Sequence, residues 1–201
     1  EDVDWKLTAE ATLEGYHIKP THSGSFFPYG YDKLNVVEMQ GPNSRVCFPF
    51  RRIEKLRDSP RDQVSLDRMV TLVNRIFPFT SITCLSQHYA FSFAEPESPT
   101  RTRYYNYRLT LPAAEGEGIS DEAIARAKKD VAFLSNTGDK EDAKVVRDIQ
   151  AGIGSGANTH YRFDRFESAI GHLHKNLALY LARLKNYEES VAEQNNRARL
   201  S

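Results

Sequence analysis

Two histidines five residues apart, His17 and His22, stand in the segment Leu13-Glu14-Gly15-Tyr16-His17-Ile18-Lys19-Pro20-Thr21-His22. Imidazole is the commonest metal-binding side chain, so the first question is whether both rings could reach one ion. On an unbroken helix the two positions would sit about 140° apart, whereas a helical metal pair is spaced i and i+4. A shared ion therefore needs a break in the chain between them, and Pro20 is the expected break. Glu14, three residues before His17, reads as one helical turn away on the same face, where a carboxylate could orient the imidazole. Six histidines in 201 residues make such a pair a common accident. Ordinary packed or solvated histidines are the competing reading. Two histidines also leave an iron site unfinished, because a non-haem Fe(II) site needs two His and one carboxylate on one face.

Other residues capable of chemistry have plainer readings. His88 lies near a strand turn, His160 in a loop, and His172 and His174 on the last helix, all places where packed or solvated histidines prevail. Cys47 and Cys84 are too few for a disulfide framework or a Cys-rich metal site. Their apolar, strand-like neighbours suit buried small hydrophobes in a reducing cytoplasm. Gly152-x-Gly154-x-Gly156 follows a helix, whereas a dinucleotide fingerprint follows a strand, so helix capping is its expected role. The loop over residues 19–34 carries Phe26, Phe27, Tyr29 and Tyr31, which suit either packing under the core or lining a pocket.

The elements that must position these groups follow from periodicity. Apolar residues at helical spacing (Leu7, Ala11, Leu13, Tyr16) predict a helix from Trp5 to Tyr16, ended by Pro20. Strands are expected at Asn35–Gln40, Arg45–Phe50, Arg68–Phe77, Ser81–Ser86, Tyr89–Ala94 and Arg101–Leu111, with a charged helical turn at Ile53–Asp58. In the last strand Tyr105, Tyr107, Leu109 and Leu111 alternate with polar residues and are expected on a covered face. After Pro112 helices are expected at Ile119–Leu134, at Glu141–Ile153 with Val145, Val146, Ile149 and Ile153 on one face, and from Phe166 onward. The last has a stripe of Phe166, Ile170, Leu173, Leu177, Leu181 and Leu184, and a polar tail from Glu188 that should fray. One antiparallel sheet covered by helices is an α+β architecture. Lys+Arg and Asp+Glu both count 27, giving zero formal charge, so no long-range field draws the chain to nucleic acid or an anionic membrane. No apolar run is long enough to span a bilayer, and no signal-peptide pattern opens the sequence.

Order and spacing of three separate motifs resemble one family. Asp4-Trp5-Lys6-Leu7, followed by Glu14-Gly15-Tyr16-His17 and His22, is similar to the opening of the catalytic domain in the large (alpha) subunit of Rieske non-haem iron ring-hydroxylating oxygenases. That family's third ligand is an Asp in an acidic pair about two helical turns before a Gln-x-Gly motif. Here the matching residues are Glu141-Asp142 and Gln150-Ala151-Gly152, which make Asp142 the candidate ligand and Glu141 its less favoured neighbour. Ser155-Gly156-Ala157-Asn158-Thr159 and Glu167 through His174 resemble the family's last section, so the likeness runs from Trp5 to about Leu184. It departs at Glu14, where the family usually has Asp.

The resemblance implies a helix-grip fold, an antiparallel sheet curled around a long C-terminal helix at Phe166–Leu184, with a pocket between them. It implies a mono- or dioxygenase inserting oxygen from O2 into an aromatic or other apolar substrate, at an Fe(II) held by His17, His22 and Asp142. Glu14 would bridge to the electron-transfer partner. Electrons would come from NAD(P)H through a reductase or ferredoxin and a 2Fe–2S Rieske cluster on the adjacent subunit of a homotrimer, with or without a beta subunit. No Cys-x-His or Cys-x-x-His pair occurs in the chain, so residues 1–201 are expected to be a single catalytic domain whose N-terminal Rieske domain is absent. The alternative is a non-catalytic helix-grip module that carries an apolar small molecule.

Overall fold

The computed structural model describes residues 1–85, 88–110 and 118–199. The Val-, Ile- and Tyr-rich middle of the chain forms six strands: β1 (Val36–Gln40), β2 (Asn43–Pro49), β3 (Val70–Ile76), β4 (Thr80–Cys84), β5 (His88–Ser98) and β6 (Arg101–Thr110). They pair in sequence order as one antiparallel sheet. Gly41 turns β1 into β2 at a φ of +57°, a conformation that favours a residue without Cβ. The charged segment after β2 forms the expected short helix, of 3-10 type, at Arg51–Leu56. The helices are α1 (Trp5–Ala11), α2 (Ile18–Thr21), α3 (Asp121–Thr137), α4 (Ala143–Ile153) and α5 (Ser168–Arg199). This is the expected α+β arrangement. Among the described residues no helix is long and apolar enough to cross a membrane.

Alternation along β2 and β3 sends Val46, Phe48, Val73 and Arg75 to one buried face. Trp5, Ala9 and Leu13 from the N-terminal segment and Ala169, Ile170 and Leu173 from α5 pack into the same core. Burying each large apolar side chain stabilises by roughly 1.5–3 kcal/mol, so this contact sets where α1 lies. A second cluster, Val3, Leu7 and Val146, joins α1 to α4. Asp4 caps α1 by accepting from the Lys6 N–H at 3.0 Å. Its own N–H donates to Gln150 Oε1 at 2.8 Å, so α4 is tied to the start of α1.

Several expectations change. α1 ends at Ala11, not Tyr16: the Thr12 hydroxyl folds back on the Ala9 carbonyl at 2.8 Å and the chain turns. Tyr105, Tyr107 and Leu109 are 39%, 55% and 54% exposed, and Thr102 and Tyr104 supply the covered side of β6. Alternation fixes that a strand has two faces, not which one is covered. In α4 only Val146 is buried, while Ile149 and Ile153 are exposed. Leu181 and Leu184 on α5 are exposed as well. A helix of 32 residues is about 48 Å long, and a strand of seven only about 23 Å, so α5 outruns the sheet it covers. The helix also continues to Arg199, where fraying was expected. The expected strand ends at Ser86 and Leu111, and the change of pattern at Pro112, lie outside the described residues.

Candidate metal centre

His17 and His22 flank the single turn of α2 as its N-cap and C-cap. Pro20 therefore does not break the chain between them. It sits inside α2, in the first turn, where a missing N–H leaves no helical bond unmade. The break lies earlier, over Thr12 to Tyr16, and Ile18 anchors α2 in the core. Two caps of one turn bring the rings to a centroid separation of 5.2 Å. Glu14 is in the turn before α2, not on a helix with His17, yet its Oε1 still meets His17 Nδ1. Its Oε2 accepts from the backbone N–H groups of Tyr16 and His17.

The carboxylates come from the other end of the sequence. A wide π-turn, Gly138–Asp142, joins α3 to α4 and ends in Glu141-Asp142. Such turns alter the angular step between neighbouring side chains. Here the two acids reach opposite nitrogens of one ring. Glu141 Oε2 lies 2.5 Å from His22 Nδ1 and accepts from the Ser25 hydroxyl at 2.7 Å. Asp142 Oδ1 lies 2.8 Å from His22 Nε2 and 3.6 Å from His17 Nε2. Both Nδ1 atoms thus face a carboxylate, and both Nε2 atoms are left for the side on which Asp142 stands.

Electrostatics follow from this crowding. Burial pushes the His22 pKa down, but the Asp142 and Glu141 carboxylates beside its ring outweigh it and raise the value above the ordinary 6.5. Hydrogen bonds from His22 and Ser25 hold the Glu141 carboxyl below its usual range. Asp142 Oδ1 is buried with no hydrogen-bond partner despite the 2.8 Å approach. The distance suits a hydrogen bond and the alignment does not. Two atoms each about 2.1 Å from one ion, at right angles, would lie about 3 Å apart. The three ligand atoms all lie within 4.8 Å of one another, and this donor set fits a two-histidine, one-carboxylate metal ion.

Among the described residues no other set of three His, Cys, Asp or Glu side chains converges in this way. His88 is a packed histidine, 1% exposed, with Nδ1 2.8 Å from Asp130. His174 pairs with Glu10 at 2.8 Å, His172 lies beside Asn176, and His160 is exposed. Cys47 and Cys84 are free and half-buried. Residues 19–34 do both things proposed for them: Phe26 and Phe27 pack on the core, and Phe26, Pro28 and Tyr29 line a pocket to which no triad residue contributes. The contact of Glu141 with His22 went unread in the sequence, where only its adjacency to Asp142 marks it.

The chain thus sets an antiparallel sheet against a terminal helix and brings two histidines and a carboxylate together. The family model described as ring hydroxylating alpha subunit (catalytic domain) matches residues 2–183, and the chain belongs to that family. Solved structures of the same fold include a quaternary ammonium Rieske monooxygenase described for carnitine oxidation by gut microbiota. Its TM-score is 0.64 at 17% identity, over 88% of this chain and 47% of that one. Another is the monooxygenase CntA in complex with L-carnitine, with a TM-score of 0.59 at 16% identity, over 88% of this chain and 45% of that one. A third is dicamba monooxygenase bound to 3,6-dichlorosalicylic acid, at 0.59 and 12% identity, over 92% and 57%. At these identities the likeness is one of fold. The chain spans about half the length of these neighbours. No curated protein matches it by sequence.

Proposed function

We propose that residues 1–201 are the iron-binding catalytic domain of a Rieske-type oxygenase, which inserts oxygen from O2 into a small organic substrate. The observation that carries this is the orphaned Asp142 Oδ1 beside two Nε2 atoms whose rings are each held from behind by a carboxylate. His17, His22 and Asp142 would hold Fe(II). Bound there, iron supplies the one-electron redox chemistry that lets O2 react with a closed-shell organic molecule.

The chain's own residues do the positioning. Glu14 and Glu141 accept at Nδ1, which fixes each ring's tautomer and orientation and raises its basicity as a ligand. Asp142 also lines a cavity of about 280 Å³, walled by Trp5, Phe79, Ala94 and Tyr104. Substrate in that cavity would lie against the proposed metal. Electrons would come from NAD(P)H through a reductase or ferredoxin and a 2Fe–2S cluster in a Rieske domain outside these residues, delivered across a homotrimer past Glu14. The family membership supports this, as do the monooxygenase neighbours. The test is metal analysis of the purified, reconstituted chain. About one iron per chain is expected; iron near zero, with an apolar ligand in the cavity, would favour the carrier reading instead.

A further inference from the structure

One buried charge on the inner face of the sheet is left unused by the metal centre. Arg75, on β3, is 6% exposed. Its Nη2 donates to Thr12 Oγ1 at 3.3 Å, and its Nε has no partner. No carboxylate pairs with it among the described residues, and burial pushes its pKa down to about 10. An unpaired cation in the interior is costly, and replacement by an apolar side chain of similar size is commonly neutral or stabilising. Folding alone gives no reason for this charge.

Its surroundings supply one. Arg75 lines the same cavity as Asp142. Beside it the Tyr104 hydroxyl is buried without a hydrogen-bond partner, with Thr8 and Thr102 near it. A guanidinium and a phenol, both with unspent donors, face a space also lined by Trp5, Phe79, Ser81, Arg108 and the carboxylates of Glu1 and Asp142. Guanidinium presents parallel N–H donors that match a carboxylate, and a charge-assisted pair in a buried site is strong. At about 280 Å³ the cavity lies just under the usual range for ligand sites, which begins at about 300 Å³, so it suits a small molecule.

We propose that Arg75, with Tyr104, anchors a carboxylate of the substrate, so that the substrate class is a small organic acid whose uncharged body is held toward Asp142. This rests on the reading of the cavity as the substrate site of an iron oxygenase. Arg75 is then a specificity-determining residue, while iron is held by others.

Trp5 is the only tryptophan in the chain and walls the cavity, so its fluorescence reports occupancy. The iron-loaded chain is titrated with benzoate and with benzamide, which share shape and differ in charge, and with the aliphatic pair hexanoate and hexanamide. At least one acid is expected to bind about tenfold or more tightly than its amide. Arg75→Met should erase that preference with iron content and Tm undiminished, and Arg75→Lys should keep part of it. Equal binding of acid and amide, an unchanged preference in Arg75→Met, or no binding of either acid at about 10 mM would overturn the assignment. Because the acid–amide comparison uses the unmutated protein, poor folding of a variant does not blunt it. Iron content on the same samples separates the two readings. Full iron with no acid preference sinks the anion site alone. Acid preference without iron upholds the anion site and sinks the oxygenase.

Discussion

At His22 both ring nitrogens face carboxylates, Glu141 at Nδ1 and Asp142 at Nε2, and at His17 Glu14 and Asp142 play the matching parts. The two sides of each ring should respond differently to mutation. In the proposed site, His17→Ala, His22→Ala and Asp142→Ala each remove one of three ligands and are expected to abolish tight iron binding. Glu141→Ala removes only the group behind His22, so iron affinity should fall by roughly 10–100-fold, not vanish. Competition with a chelator of known affinity separates the two outcomes, and equal loss in all four variants would contradict the division of roles. Glu14→Gln keeps size and one acceptor but loses the charge. It should retain iron and cripple turnover in the full-length enzyme; undiminished substrate oxidation would show that Glu14 carries no electron-transfer role.

At the scale of elements, Asp142 is placed by packing four residues further on, where Val146 meets Val3 and Leu7. Val146→Ala should lower the unfolding free energy by about 1–3 kcal/mol in denaturant melts and weaken iron binding with it. Unchanged stability would mean another contact fixes α4. The pair His174–Glu10 ties α5 to the first helix, and the hydrogen bond to Glu10 raises the His174 pKa above 6.5 against an opposing effect of burial. A raised folded-state value means the stabilisation is complete below about pH 6.5 and fades as pH rises through the folded value. His174→Gln should therefore cost more unfolding free energy near pH 6 than near pH 9, by less than about 1 kcal/mol since the pair is partly exposed. An equal cost at both pH values would contradict a charge-based contact.

The same elements show why the sequence could be read so far and no further. Strand positions and the histidine and acidic motifs were legible because periodicity and spacing are local. The Gln150–Asp4 bond explains why two of the recognised motifs belong together, but that contact spans the chain. Which face of β6 is covered depends on α1 and α4 packing beneath it, and nothing between Arg101 and Thr110 records that. Pro20 misled because a proline is disruptive within a helix and harmless in its first turn. Nothing local to β3 marks Arg75, whose burial depends on the distant Thr12 and Tyr104.

For the whole molecule, the proposed reaction is divided between this chain and a cluster outside these residues. The chain offers the proposed metal triad and a cavity but, in its sequence, no Cys-x-His and Cys-x-x-His pairs for a cluster. It should therefore bind Fe(II) yet fail to sustain turnover with NAD(P)H and a reductase, whereas peroxide, already reduced, should support some product. Sustained catalysis with reductase alone would demand an electron entry point within these residues. The most direct measurement is iron per folded chain, by elemental analysis after reconstitution and desalting, on the unmutated protein and on Asp142→Ala. About one iron per chain is expected in the first and almost none in the second, with both melting cooperatively at similar temperature. Iron retained in Asp142→Ala, or absent from the unmutated protein, would contradict it.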